Sequence, residues 1–121
     1  MQTKIFAITL FVDDLAAARE FYVRVFERPI LNEDPESVAF EFDGVIINLL
    51  VETSAPELIE PAAVGSGARQ MLTITVEDVD ATFAELQAKG VQFLNGPMDR
   101  PWGPRTAAFA DPAGHVWEIA S

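Results

Sequence analysis

The stretch Ile8-Thr9-Leu10-Phe11-Val12-Asp13-Asp14-Leu15 returns, in pattern, as Leu72-Thr73-Ile74-Thr75-Val76-Glu77-Asp78-Val79. In each copy an apolar strand with a central threonine runs into an acidic pair and then a helix-like segment. The copies lie 64 positions apart in a chain of 121 residues, so the sequence reads as two versions of one supersecondary unit. A duplicated unit also predicts where a site lies: on the axis between the halves, lined by equivalent positions from each.

Working outward from the first copy, Lys4 to Val12 reads as a strand, β-branched and aromatic with no Gly or Pro. Asp13 or Asp14 is placed to cap a helix, its carboxylate accepting from free backbone N–H groups. That helix runs to about Glu27, with Leu15, Ala18, Tyr22 and Val25 on one apolar face, and Pro29 cannot continue it. Three short strands are predicted at about 30–34, 37–42 and 45–51, the last two joined by the turn pair Asp43-Gly44. Residues 52–67, with two prolines and two glycines, read as a linker. The plan then repeats: a strand from Gln70 to Val76, a helix capped by Asp78 or Asp80 and ended by Gly90, and strands near 91–95, 105–110 and 115–120. The expected fold class is α+β, two tandem βαβββ modules (about 1–51 and 68–121) packed as one domain over residues 1–121.

Composition narrows the function classes. Half the residues are apolar or aromatic, enough for a real core. With no cysteine, the chain has no disulfide, thiolate ligand or thiol nucleophile. The first apolar run, Ile5 to Val12, is eight residues long and ends in two aspartates, which fits neither a signal peptide nor a membrane span. A soluble cytoplasmic protein is expected. The net charge of −11 argues against nucleic acid as a partner. It suits a cationic ligand, and equally a surface that only keeps the chain soluble.

Strand alternation sorts the remaining candidates. Ile8, Leu10 and Val12 should face their helix, leaving Ala7, Thr9 and Phe11 on the other side. In the second module Leu72, Ile74 and Val76 face the helix, opposite Met71, Thr73 and Thr75. Asn48 and Glu118 each interrupt an otherwise apolar strand, and a polar group there is costly unless satisfied. Glu118 is the candidate catalytic residue, with three roles open: a carboxylate paired with Arg105 or Asn48, an anionic anchor for a ligand, or a general base. No Ser/His/Asp triad and no phosphate loop is present: Gly65-Ser66-Gly67 lacks a following lysine and helix.

The paired modules, the Val-x-Asp-Leu/Val helix starts, and Asp111-Pro-Ala-Gly-His-Val-Trp-Glu118 together resemble the vicinal oxygen chelate superfamily. That superfamily includes glyoxalase I, extradiol dioxygenases, fosfomycin resistance enzymes and bleomycin resistance proteins. The resemblance covers nearly the whole chain and implies a curved, partly open eight-stranded barrel around a cleft, commonly in a homodimer. Metal-dependent members hold a divalent ion at four strand positions, which fall here on Ala7, Asn48, Met71 and Glu118. Only Glu118 is an ordinary ligand. Ala7 has no donor, Met71 offers a soft thioether, and Asn48 offers one neutral carbonyl oxygen. His115, the lone histidine, follows a turn glycine and is expected to be structural or at the surface.

The resemblance therefore favours a metal-free binding protein, with no cofactor. The alternative is a metal-dependent lyase, isomerase or dioxygenase using Glu118 and a divalent ion. The expected ligand-binding set is Thr9, Phe11, Asn48, Met71, Thr73, Trp102, Arg105 and Glu118. Pro101-Trp102-Gly103-Pro104-Arg105 resembles a loop of the bleomycin resistance proteins, which sequester a drug unchanged. Trp102 there is either an exposed stacking platform for a planar or cationic group or a lid folded onto the core. Trp117 is expected in the core. The partner is a small molecule, neither nucleic acid nor membrane.

Overall fold

Asp14 and Asp78 start the two long helices. In the computed structural model, which describes residues 1–121, each carboxylate accepts a backbone N–H three residues on, from Ala17 and Ala81, both at 3.0 Å. Asp13 and Asp80 are thereby excluded as caps. The helices are α1 (Leu15–Phe26) and α3 (Val79–Ala88); α2 is a single turn at Pro56–Ile59. α1 ends where Glu27 takes a left-handed conformation, φ 52°, two residues before Pro29. α3 ends at Gly90, φ 88°. There the N–H groups of Gly90 and Val91 reach back to the carbonyls of Gln87 and Leu86.

The chain forms two units, Met1–Ser66 and Gly67–Ser121. The first holds β1 (Ala7–Val12), β2 (Ile30–Asp34), β3 (Ser37–Phe42) and β4 (Val45–Val51) in the order β1-β4-β3-β2. The second holds β5 (Met71–Thr75), β6 (Phe93–Asp99), β7 (Arg105–Ala110) and β8 (Val116–Ala120) in the order β5-β8-β7-β6. In both sheets the first strand is parallel to the last and the remaining pairs are antiparallel. The duplication read from one strand–helix start thus extends to topology, and the fold class is two tandem βαβββ modules. Register carries it further: Ala39 and Phe40 of β3 stand to β4 as Ala108 and Phe109 of β7 stand to β8.

In each unit the helix covers one face of its sheet. Ala18, Phe21, Tyr22 and Val25 of α1 are buried, as are Leu10, Val12, Val38, Phe40, Ile47 and Leu49 from the strands. Tyr22 packs against Phe26 and Phe40, with ring centroids 5.2 and 5.8 Å apart. The second unit buries Val79 and Leu86 of α3 with Ala107, Phe109, Trp117 and Ile119. Phe93 bridges Phe83 and Phe109 there, at 4.4 and 5.4 Å. Tyrosine and phenylalanine rings at these separations add edge-on and tilted contacts to the burial itself.

Three expected boundaries move. The first strand begins at Ala7, whereas Lys4, Ile5 and Phe6 stay outside it and Phe6 is 74% exposed. Ala7 pairs with Ile46, and the Phe6 carbonyl still accepts from Ile46 N at 3.0 Å, so pairing runs out within one residue of the start of β4 at Val45. The sixth strand begins at Phe93 because Val91 is spent closing α3, and it continues to Asp99 through two register shifts. The expected linker is partly ordered, with a 3-10 turn at Glu52–Ser54 followed by α2. It belongs to the first unit, since Ser54 Oγ donates to Glu36 at 2.6 Å and Ala55 is buried.

Candidate functional site

The face of each sheet turned away from its helix carries the polar residues picked out by the repeat. In the first unit Thr9, Asn48 and Ala39 are cross-strand neighbours on β1, β4 and β3. Asn48 Nδ2 points its donor at Thr9 Oγ1 over 3.5 Å, a long hydrogen bond. In the second unit Thr73, Glu118 and Ala108 hold the same positions on β5, β8 and β7. There the Thr73 hydroxyl donates to Glu118 Oε1 at 2.9 Å. The central threonines of the two repeats are therefore the partners of the two mid-strand polar residues. The alanine on the other side of each is buried.

Glu118 is half-buried, and its second oxygen is left for an incoming donor. Phe11 is half-buried on the face of Thr9, and Met71 lies half-exposed on the face of Thr73. The four positions matching the superfamily's metal ligands do not fit a divalent ion. Ala7 pairs with Ile46 and Met71 with Val116, so neither has a replacement donor as its direct cross-strand neighbour. Nowhere in the chain do three or more His, Asp or Glu side chains gather in a way that would hold one, whereas catalytic zinc takes about three protein ligands. His115 sits in the turn before β8, its backbone N–H donating to the buried Asp111 carboxylate at 2.9 Å. Asp111 also accepts from Ala113 N at 2.9 Å, which shapes the turn.

Trp102 and Trp117 separate cleanly. Trp117 is buried beside Phe109. Trp102 is 73% exposed, on a turn closed by Arg100 N to Pro104 O at 2.8 Å and Gly103 N to Arg100 O at 3.0 Å. Of its two expected placements, the exposed one is observed.

Arg105 is the one expected site residue placed on the other face. It shares a face with Ala107 and Phe109, which pack toward α3, whereas Glu118 shares its face with Ala108. The anticipated Glu118–Arg105 pair is not formed. Arg105 instead grips Asp80 of α3 through Nε at 2.8 Å and Nη2 at 2.9 Å, and reaches Asp99 through Nη1 at 3.2 Å. Hydrogen bonding from Arg105 lowers the Asp80 pKa below its ordinary value, against a smaller opposing effect of desolvation. A carboxyl group lowered by folding contributes stability above its unfolded pKa and loses it as pH falls through the folded value. Asp80→Asn should therefore lower the melting temperature near pH 7. The difference from wild type should begin to shrink as pH falls below the ordinary carboxyl value of 3.8 and should vanish only below the lowered folded pKa, where both forms carry an uncharged side chain. Thermal melts across that range check this.

A second arginine was missed by sequence reasoning. Arg100 donates from Nε to Thr106 Oγ1 at 2.8 Å and from Nη2 to Asn95 Oδ1 at 2.9 Å, and its guanidinium lies 5.9 Å from the Trp102 ring centroid. Thr106 shares the Ala108 and Glu118 face by alternation. The signal was available in the spacing: Arg105 has the parity of Phe109, so any guanidinium on the open face had to come from elsewhere.

Residues 4–119 match the Glyoxalase/Bleomycin resistance protein/Dioxygenase superfamily. The chain is similar to the YraH protein of Bacillus subtilis, 34% identical over 96% of both chains. It is also similar to the crystal structure of a glyoxalase/bleomycin resistance protein/dioxygenase from Nocardioides. The TM-score is 0.88 and the identity 28%, over 99% of this chain and 83% of that one. A glyoxalase-related enzyme from Fulvimarina pelagi aligns with a TM-score of 0.86 and 28% identity, over 98% of this chain and 88% of that one. The protein belongs to the glyoxalase/bleomycin resistance/dioxygenase superfamily.

Proposed function

We propose that the protein binds a small aromatic molecule without a resident metal and sequesters it unchanged. The donor set carries this reading. Of the four positions that would hold a metal, three (Ala7, Asn48 and Met71) lack ordinary ligand chemistry, and the fourth, Glu118, supplies one carboxylate where about three protein ligands are needed. What this leaves on the open face of the second sheet is chemistry for recognition. Met71 and Val116 supply apolar surface, the Glu118 carboxylate accepts from a cationic or amide group, and Trp102 offers a ring face to stack on. Apolar walls with few polar groups are the usual makeup of small-molecule sites.

Metal content and binding test it together. Purified protein should carry well under one equivalent of Mn, Fe, Ni or Zn, and stoichiometric metal would instead favour a lyase, isomerase or dioxygenase centred on Glu118. Planar aromatic amines should quench Trp fluorescence saturably. Trp102→Ala should weaken their binding about fivefold to tenfold, the size of a lost stacking or cation–π contact. Undiminished affinity in that variant would remove Trp102 from the site.

A further inference from the structure

Five of the chain's eight Lys and Arg side chains have a carboxylate partner: Arg19, Arg24, Arg28, Lys89 and Arg105. Lys4 and Arg69 are exposed and outside any strand or helix. Arg100 fits neither group. It is half-buried and held at two points, yet both acceptors are neutral: the hydroxyl of buried Thr106 and the amide oxygen of Asn95. Neutral acceptors fix a guanidinium without cancelling its charge. A guanidinium has five N–H donors. Here Nε and Nη2 are engaged by the chain, and the Nη1 edge makes no bond to it. Asp99, the adjacent carboxylate, is turned away into Arg105.

The geometry points to Arg100 as an anion anchor for the ligand, a residue that takes a carboxylate on its open edge while the attached ring lies against Trp102. This rests on the binding reading above and makes it more specific. The ligand class becomes a planar aromatic acid, and one that also carries a donor for Glu118 is amphoteric. Spacing on the sheet permits both contacts. Thr106 and Ala108 are about 7 Å apart along β7, and Ala108 is the direct neighbour of Glu118. A ligand of two fused rings spans the resulting distance of about 8 Å.

The chain's net charge of −11 opposes any acid at long range. At physiological salt that field is screened over about 8 Å, whereas a contact to a half-buried guanidinium is screened far less. Charge-assisted hydrogen bonds of this kind are about twice as strong as neutral ones. Two arginines five residues apart thus have different duties: Arg105 ties β7 to α3, and Arg100 presents charge.

The two tryptophans give two indole N–H resonances in nitrogen-15-labelled protein, and Trp102→Phe assigns the exposed one. Titrating that resonance with 2-naphthoate and with 2-naphthamide separates charge from stacking. Wild type should bind the acid about tenfold more tightly than the amide. Arg100→Gln should abolish the preference while leaving the amide within about twofold, and Arg100→Lys should restore part of it. Equal binding of acid and amide by wild type overturns the anchor and leaves stacking intact. So does an Arg100→Gln variant that weakens both probes alike, since that is the behaviour of a residue that only supports the loop. If neither probe moves the Trp102 resonance, the stacking reading fails and the anchor with it.

Discussion

Phe109→Ala should cost about 3–5 kcal/mol of unfolding free energy, the range for deleting a fully buried aromatic ring. Phe109 is 0% exposed, in the middle of β7, between Phe93 on β6 and Trp117 on β8. Its ring meets Phe93 edge-on at 5.4 Å, and Phe93 in turn meets Phe83 of α3 at 4.4 Å. Removing it therefore opens a void where three strands and the helix converge. Sheet backbone cannot collapse far to refill it, because β7 and β8 are each held in register on both sides. Urea unfolding followed by circular dichroism checks this, with Leu94→Ala as the control. Leu94 is 59% exposed on the same sheet, and its truncation should change stability by less than about 0.5 kcal/mol. A loss near 1 kcal/mol for Phe109→Ala would mean that the second unit's core is not built around this ring.

Gly96→Ala should cost about 2–5 kcal/mol, combining a left-handed backbone with a clash the chain cannot avoid. Gly96 has φ 85°, and a Cβ there would lie 2.4 Å from the Thr106 carbonyl oxygen and 2.7 Å from the Ala107 Cα. Those are backbone atoms of the neighbouring strand, so β6 must move away from β7 to admit a methyl group. Gly44→Ala separates the two causes. Gly44 also has positive φ, 97°, but nothing lies within 4 Å of where an added methyl group would stand. That substitution should cost only about 1–2 kcal/mol. The sites should differ in a second way. Moving β6 pulls Asn95 away from Arg100, so Gly96→Ala should shift the Trp102 indole resonance, whereas Gly44→Ala should leave it unchanged.

Both substitutions act on features that differ in how visible they are in the sequence. The Phe109 environment follows from alternation, since an apolar strand beside an amphipathic helix must turn one parity inward. The same rule put Leu10, Val12 and Trp117 in the core, where they are buried, whereas Ile8, Leu72, Ile74 and Val76, expected on the same face, are half-buried. Gly96 has no such signal. A glycine next to proline reads as a turn, whereas here it lies within β6, pressed against β7 at a shift in pairing register. Register shifts arise from how two distant strands meet, which no local pattern records.

The site divides along the same line. Periodicity put Thr9 and Thr73 on the face away from the helix, because the face a residue presents follows from its position along a strand. Asn48 and Glu118 joined them only in the binding set that the superfamily resemblance implied. Hydrogen bonding then had to be completed by whatever stood alongside, and in both units that is the repeat's own central threonine. Arg105 and Arg100 show what lies beyond that reach. Long flexible side chains choose partners by proximity in three dimensions, so a chain with 19 acidic residues offers each arginine many partners on paper. Only packing of α3 onto β7 gives Arg105 to Asp80, and only the turn at Pro101–Pro104 swings Arg100 back over Thr106. The duplication, the fold class and the faces of the strands were determined by the sequence, through periods of two and of three to four residues. Which charges are neutralised and which are left to meet a ligand was decided by the tertiary structure, because that choice depends on distances between segments far apart in the chain.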